Sequence, residues 1–131
     1  MQDKMSYGKS KQVSMDFVEA VEKTRQELQK EGFGVMTEID VKATLKKKLD
    51  VDYDNYMILG ACNPQFAYKA LQAEKEIGLM MPCNVIVYGK DGKVFVSAIR
   101  PTNAMSMIDN EELKKVAEQA EEKLSKVIDN I

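Results

Sequence analysis

Apolar positions along the chain recur with two periods, and each change of period marks a change of element. Residues 7–13, YGKSKQV, alternate small, polar and apolar side chains as a first strand does. The period then lengthens: Phe17, Val18, Val21 and Leu28 fall along one helical face, and Glu19 stands four residues before Lys23 as a helix-supporting pair. Ser14 is the expected N-cap of this helix, and Gly32 is placed where a left-handed stop is needed. FGVMTEI, residues 33–39, predicts a second strand. Asp40 then caps a short helix in which Val41, Leu45 and Leu49 recur every four residues, with Lys46, Lys47 and Lys48 toward its C-terminal end. YMILGAC, 56–62, has the continuous apolar character of a buried strand. Asn63-Pro64 is a helix start, a capping amide followed by proline at the first helical position, and Phe66, Ala67, Ala70 and Leu71 form that helix's apolar face.

IGLMMP leads on, read as an extended connection ending at Pro82. CNVIVYG and KVFVSAI are the two clearest strands, and Asp91-Gly92 between them is a tight-hairpin signal. Pro101 ends the second, and NAMSMI predicts a short helix. Asn110 caps the last helix, with Glu111 and Glu112 in its first turn. Leu113, Val116, Ala117, Ala120, Leu124, Val127 and Ile131 mark its stripe. The sum is an α+β fold of two layers, a mainly antiparallel sheet covered by helices, forming a single domain over residues 1–131. A parallel, doubly wound sheet is the competing arrangement, but the Asp-Gly hairpin already requires one antiparallel pair.

Charge and length narrow the partners. The net charge of −2 argues against a nucleic-acid binder, which needs a surplus of lysine and arginine to displace counterions from phosphate. No run approaches the roughly 18 apolar residues that span a bilayer, so no membrane partner is expected. The first fifteen residues lack the apolar core of a signal peptide, and a cytoplasmic location is expected. Two cysteines do not make a disulfide framework and should rest as thiols in a reducing compartment. The chain has no histidine, which removes the usual general base and the commonest zinc ligand. Cys-x-x-Cys and a glycine-rich phosphate loop are both absent.

Four stretches taken together, EGFGVMTEIDVKATLKKKL, YMILGACNPQFAYKAL, EIGLMMPCNVIVY and VSAI, closely resemble the family known as domain of unknown function 302, small bacterial and archaeal domains. The resemblance runs from about Val13 to about Ile128; Met81 stands where the family usually has leucine, a packing-neutral exchange. It implies a fold like one half of the TATA-binding protein, β-α-β(4)-α with inserted helices. It implies no activity, and it does not carry over DNA binding, since fold is not function.

The candidate chemistry lies in a repeated dipeptide. The only two cysteines are each followed by asparagine, at Cys62-Asn63 and Cys83-Asn84. If strands 56–62 and 83–88 are antiparallel neighbours, the end of one lies beside the start of the other, and the thiols share one edge of the sheet; in a parallel crossover they would sit at opposite ends. Cys62, Asn63, Cys83, Asn84 and Glu38 are therefore the candidate ligand-binding residues, with no catalytic set assigned and the question of enzyme activity left open. Two thiolates without imidazole fall short of the four ligands of a structural zinc site, so no metal and no cofactor are expected. The function favoured is a small-ligand-binding or interaction module with its site at the Cys-Asn pair. Two alternatives stand beside it: a thiol-based redox or sulfur-handling protein using Cys62 and Cys83, and a protein whose cysteines are only structural. A homodimer is expected because sheet edges need cover.

Overall fold

The structure, a computed structural model, describes residues 6–131. The N-terminal reading rests partly on residues 1–5, which lie outside the described residues. Five strands form the sheet: β1 (Gly8–Val13), β2 (Gly34–Asp40), β3 (Tyr56–Cys62), β4 (Cys83–Lys90) and β5 (Lys93–Ile99). The helices are α1 (Phe17–Lys30), α2 (Val41–Leu49), α3 (Pro64–Ala73), α4 (Pro101–Ala104) and α5 (Glu111–Asp129), with a 3-10 helix at Lys75–Met80. Strand order is β1-β5-β4-β3-β2 and every neighbouring pair is antiparallel. The α+β class with an antiparallel sheet flanked by helices follows directly.

The β4–β5 turn is the one the sequence announces. Asp91 and Gly92 both take positive φ, 53° and 75°, the backbone of a two-residue turn whose twist matches that of paired strands. β2, β3, β4 and β5 then follow as a meander. β1 departs from it: α1 carries the chain across the sheet, so β1 and β2 become opposite edges.

Register divides the sheet into two faces. Met57, Leu59 and Ala61 pair with Val87, Val85 and Cys83, and Val85 and Val87 pair with Ala98 and Val96. These residues meet α1 and α5 in the main core, where Leu28, Val85, Val87, Val96, Val127 and Ile128 are fully buried. The other face carries an aromatic ladder: Tyr56 stacks on Tyr88 at 5.5 Å between ring centroids, and Tyr88 on Phe95 at 5.3 Å. The three rings sit in register across β3, β4 and β5, as cross-strand aromatic pairs prefer. A smaller cluster around Ile77, Ala70 and Leu113 joins α3, the 3-10 helix and α5.

Gly60 shows how closely the layers approach. A Cβ at Gly60 would lie 2.8 Å from Pro82 Cγ and would overlap the hydroxyl of Thr37, so only glycine fits where β2 and the Met81–Pro82 segment converge on β3.

Several expectations need correction. Asp16, not Ser14, caps α1: its carboxylate accepts from Glu19 N at 2.8 Å, because the helix begins at Phe17 and the third amide of the first turn lies within reach of residue 16. Val18 is 76% exposed, since the buried face is set by Ala20, Thr24 and Leu28 and Val18 lies round the helix from it. IGLMMP is not extended; most of it belongs to the 3-10 helix. The short helix near residue 103 starts earlier, at Pro101, whose fixed φ suits a first helical position. Met36 and Met107, apolar by type, are 69% and 80% exposed.

Candidate functional site

The two cysteines converge by register. Ala61 pairs with Cys83, so Cys62, the next residue of β3, stands beside the start of β4. The excursion between them closes on itself. α3 takes the chain about 15 Å outward at ~1.5 Å per residue, and the six-residue 3-10 helix returns it about 12 Å at ~2 Å per residue. The antiparallel alternative holds even though the return is helical.

Both thiols line one cavity of about 50 Å³ between the end of β3, the start of β4, α3 and α5. The room exists because the facing helices meet there through small side chains, Ala67 and Ala70 on α3 and Ala117 and Ala120 on α5. Met81 and Met105, both partly buried, also line it, and Asn63 is its one amide side chain. Both cysteines are unbridged and partly buried. Burial pushes the Cys83 thiol up to about 11, and the nearby Cys62 adds to the effect. Cys83 is therefore a protonated thiol at neutral pH.

Asn63 is held by its structural duty. Its Oδ1 accepts from Gln65 N at 3.2 Å and from Phe66 N at 3.5 Å, which caps α3, and its Nδ2 donates to Glu31 O at 3.4 Å. The amide thus ties the end of α1 to the start of α3. Gly32, with φ of 85°, lets the chain turn beneath it; a Cβ there would stand 3.0 Å from Asn63 Nδ2. The N-terminal end of α3, with its positive dipole, is thereby fixed next to Cys62.

The other candidates lie elsewhere. Asn84 is exposed and lines a neighbouring surface depression that shares Met81, Pro82, Cys83 and Met105 with the thiol cavity. Glu38 pairs with Leu59 along β3, whereas Cys62 pairs with Gly34, so four residues of β2 separate it from the thiols. Its carboxylate is engaged by the Arg25 guanidinium in a two-pronged contact, with Nη2 to Oε1 at 2.8 Å, and that hydrogen bond holds it below the usual glutamate range. Asp40 caps α2, accepting from Ala43 N at 2.9 Å. Among the described residues, no group of three or more His, Cys, Asp or Glu is placed to hold a metal, and no helix is long and apolar enough to cross a membrane.

Neither Met81 nor Met105 is among the residues that the sequence assigns to the site. Met81 carried a signal, two residues before Cys83 and so on the approach to the same strand start. Met105 carried none, because the turn between α4 and α5 delivers it.

A five-stranded antiparallel sheet with helices over one face, and a dithiol cavity at the ends of β3 and β4 beneath two of them, defines a small α+β domain. The family described as "Domain of unknown function DUF302" matches residues 9–131, and the chain belongs to that family. Its fold is similar to the crystal structure of the uncharacterized conserved protein DUF302 from Bacillus stearothermophilus. The TM-score is 0.89 at 30% identity, covering 95% of this chain and 97% of that one. No curated protein matches the chain.

Proposed function

We propose that the protein is a cytoplasmic, single-domain module that binds a small ligand in the cavity lined by Cys62 and Cys83. One observation carries this: two strand ends, a capped helix start and two thioethers are brought to one apolar space. Packing alone would fill such a space, and the facing alanines keep it open. The test uses two thiol reagents on the native chain. Small, neutral methyl methanethiosulfonate should modify at least one thiol, while bulky, charged Ellman's reagent should be slow until the chain unfolds. Two thiols inert to both reagents would overturn the proposal in favour of structural cysteines.

Thiol-based redox or sulfur handling is the second reading, favoured by the register of Ala61 with Cys83 and by the one cavity that both cysteines line. Against it stands the raised Cys83 thiol, a poor nucleophile at neutral pH. Fast reaction with Ellman's reagent well below the free-thiol pKa of about 8.5 would favour redox over ligand binding.

We also infer a homodimer. The face bearing Tyr56, Tyr88 and Phe95, with Ile39 48% exposed beside it, supports pairing through apolar surface. Sedimentation at micromolar protein tests this, and a clean monomer overturns it. The element order, with α2, α3 and α4 taken as insertions, supports the comparison with one half of the TATA-binding protein.

A further inference from the structure

We propose that the thiol cavity binds one Cu(I) ion, held by the sulfurs of Cys62 and Cys83 with the thioethers of Met81 and Met105 as supporting ligands. This rests on the small-ligand reading above and names the ligand. Four sulfur-bearing side chains line one small apolar space, and no imidazole or carboxylate side chain does. Thiolate and thioether together select soft, d10, monovalent copper, whereas calcium and magnesium require oxygen ligands. Zinc is disfavoured because two of the four donors are neutral thioethers, outside its usual thiolate, imidazole and carboxylate set. Counting thiolates and imidazoles alone leaves the site short of ligands; the fold supplies the other two.

The charge balance is explicit. Two neutral thiols and one Cu(I) give a bis-thiolate cuprous centre of charge −1 and release two protons; copper stays Cu(I) and no electron moves. The residual negative charge lies beside the N-terminal end of α3, whose positive dipole favours it. Proton release makes affinity fall as the solution is acidified.

The experiment titrates the reduced full chain anaerobically with Cu(I) against the chromogenic chelator bicinchoninate. The expected result is withdrawal of one equivalent per chain, with a sulfur-only coordination shell by X-ray absorption. Cys62→Ser and Cys83→Ser should each weaken retention at least tenfold. Met105→Leu, which keeps apolar volume and loses only the thioether, should weaken it several-fold with the thermal midpoint unchanged. The proposal is overturned if the wild-type chain leaves all the copper with the chelator. It is equally overturned if a folded Cys62→Ser/Cys83→Ser chain retains copper as well as the wild type. Failure of copper with continued access of methyl methanethiosulfonate would sink Cu(I) and leave ligand binding standing; failure of both would sink both.

Discussion

Helices α2 and α5 carry the same kind of apolar repeat and meet different fates. In α5, Leu113, Ala117, Ala120, Leu124, Val127 and Ile128 are all buried. In α2, Val41, Leu45 and Leu49 recur every fourth residue, yet no residue is buried and Leu49 is 66% exposed. The difference is in what each helix meets. α5 crosses β1 and β5 and also contacts α1, α3 and α4, while α2 follows the edge strand β2 and packs mainly on β2 and β3. Periodicity gives a helix a preferred face; burial requires a second layer at that face, and the edge of a sheet offers little.

The comparison can be broken first at α5. Leu124→Ala should cost roughly 2–5 kcal/mol, as truncation of a fully buried leucine does. Chemical denaturation measures it, and a loss under about half a kcal/mol would place Leu124 among exposed sites. Gly60→Ala comes next, at roughly 1–3 kcal/mol for overpacking, because the added methyl must displace Thr37 and Pro82. Thermal unfolding reads it, and an unchanged midpoint would mean that the β2 side of the sheet yields freely.

The Arg25–Glu38 pair fastens that side to α1. Glu38→Gln should cost at most about 1 kcal/mol at neutral pH, since a pair this open to solvent is screened. The sign follows from the depressed carboxyl: its contribution is present above the unfolded glutamate pKa and is lost as pH falls through the lower folded value. Wild type and variant should therefore converge in stability in acid, and a gap that persists at low pH would assign the effect to packing. Smallest of all, Leu45→Ala should change stability by no more than about 0.5 kcal/mol. A larger loss would show α2 to be covered in solution, and would direct attention to a partner at that edge.

What the sequence disclosed follows the same division. The Asp91-Gly92 turn and the Asn63 and Asn110 caps are local, determined within a few residues, and they stand as expected, while the α5 stripe holds through Val127 but ends on Ile128 in place of Ile131. The cap of α1 was off by two residues because Ser14 and Asp16 are both competent and only the helix start decides between them. Exposure of Val18, Leu49, Met36 and Met107 was not legible, because it depends on which neighbours arrive from distant segments. The cavity was half legible. Antiparallel pairing of β3 and β4 brings Cys62 beside Cys83, as the antiparallel alternative required, but Met105 and the alanines of α5 come from distant segments of the chain. Glu38 was drawn into the candidate set by residue type alone, and its partner Arg25 lies on another element.

The β1–β5 pairing sets an order of events for the chain as it is made. β1 is made before the other described strands, yet the strand it pairs with, β5, is the last of the five. β2 to β5 can zip sequentially as each strand appears, while β1 and α1 wait without a sheet partner. Even then the edge is unfinished. Lys11 on β1 donates to Asp129 O at 3.2 Å and Ile131 O at 2.8 Å, and Lys9 meets Asp129 at 2.8 Å, so β1 is fastened by the end of α5 and the residues just after it. Long-range closure of this kind is slow relative to hairpin formation. Until β5 is in place β1 has no strand partner, and α5 is the latch that closes the fold.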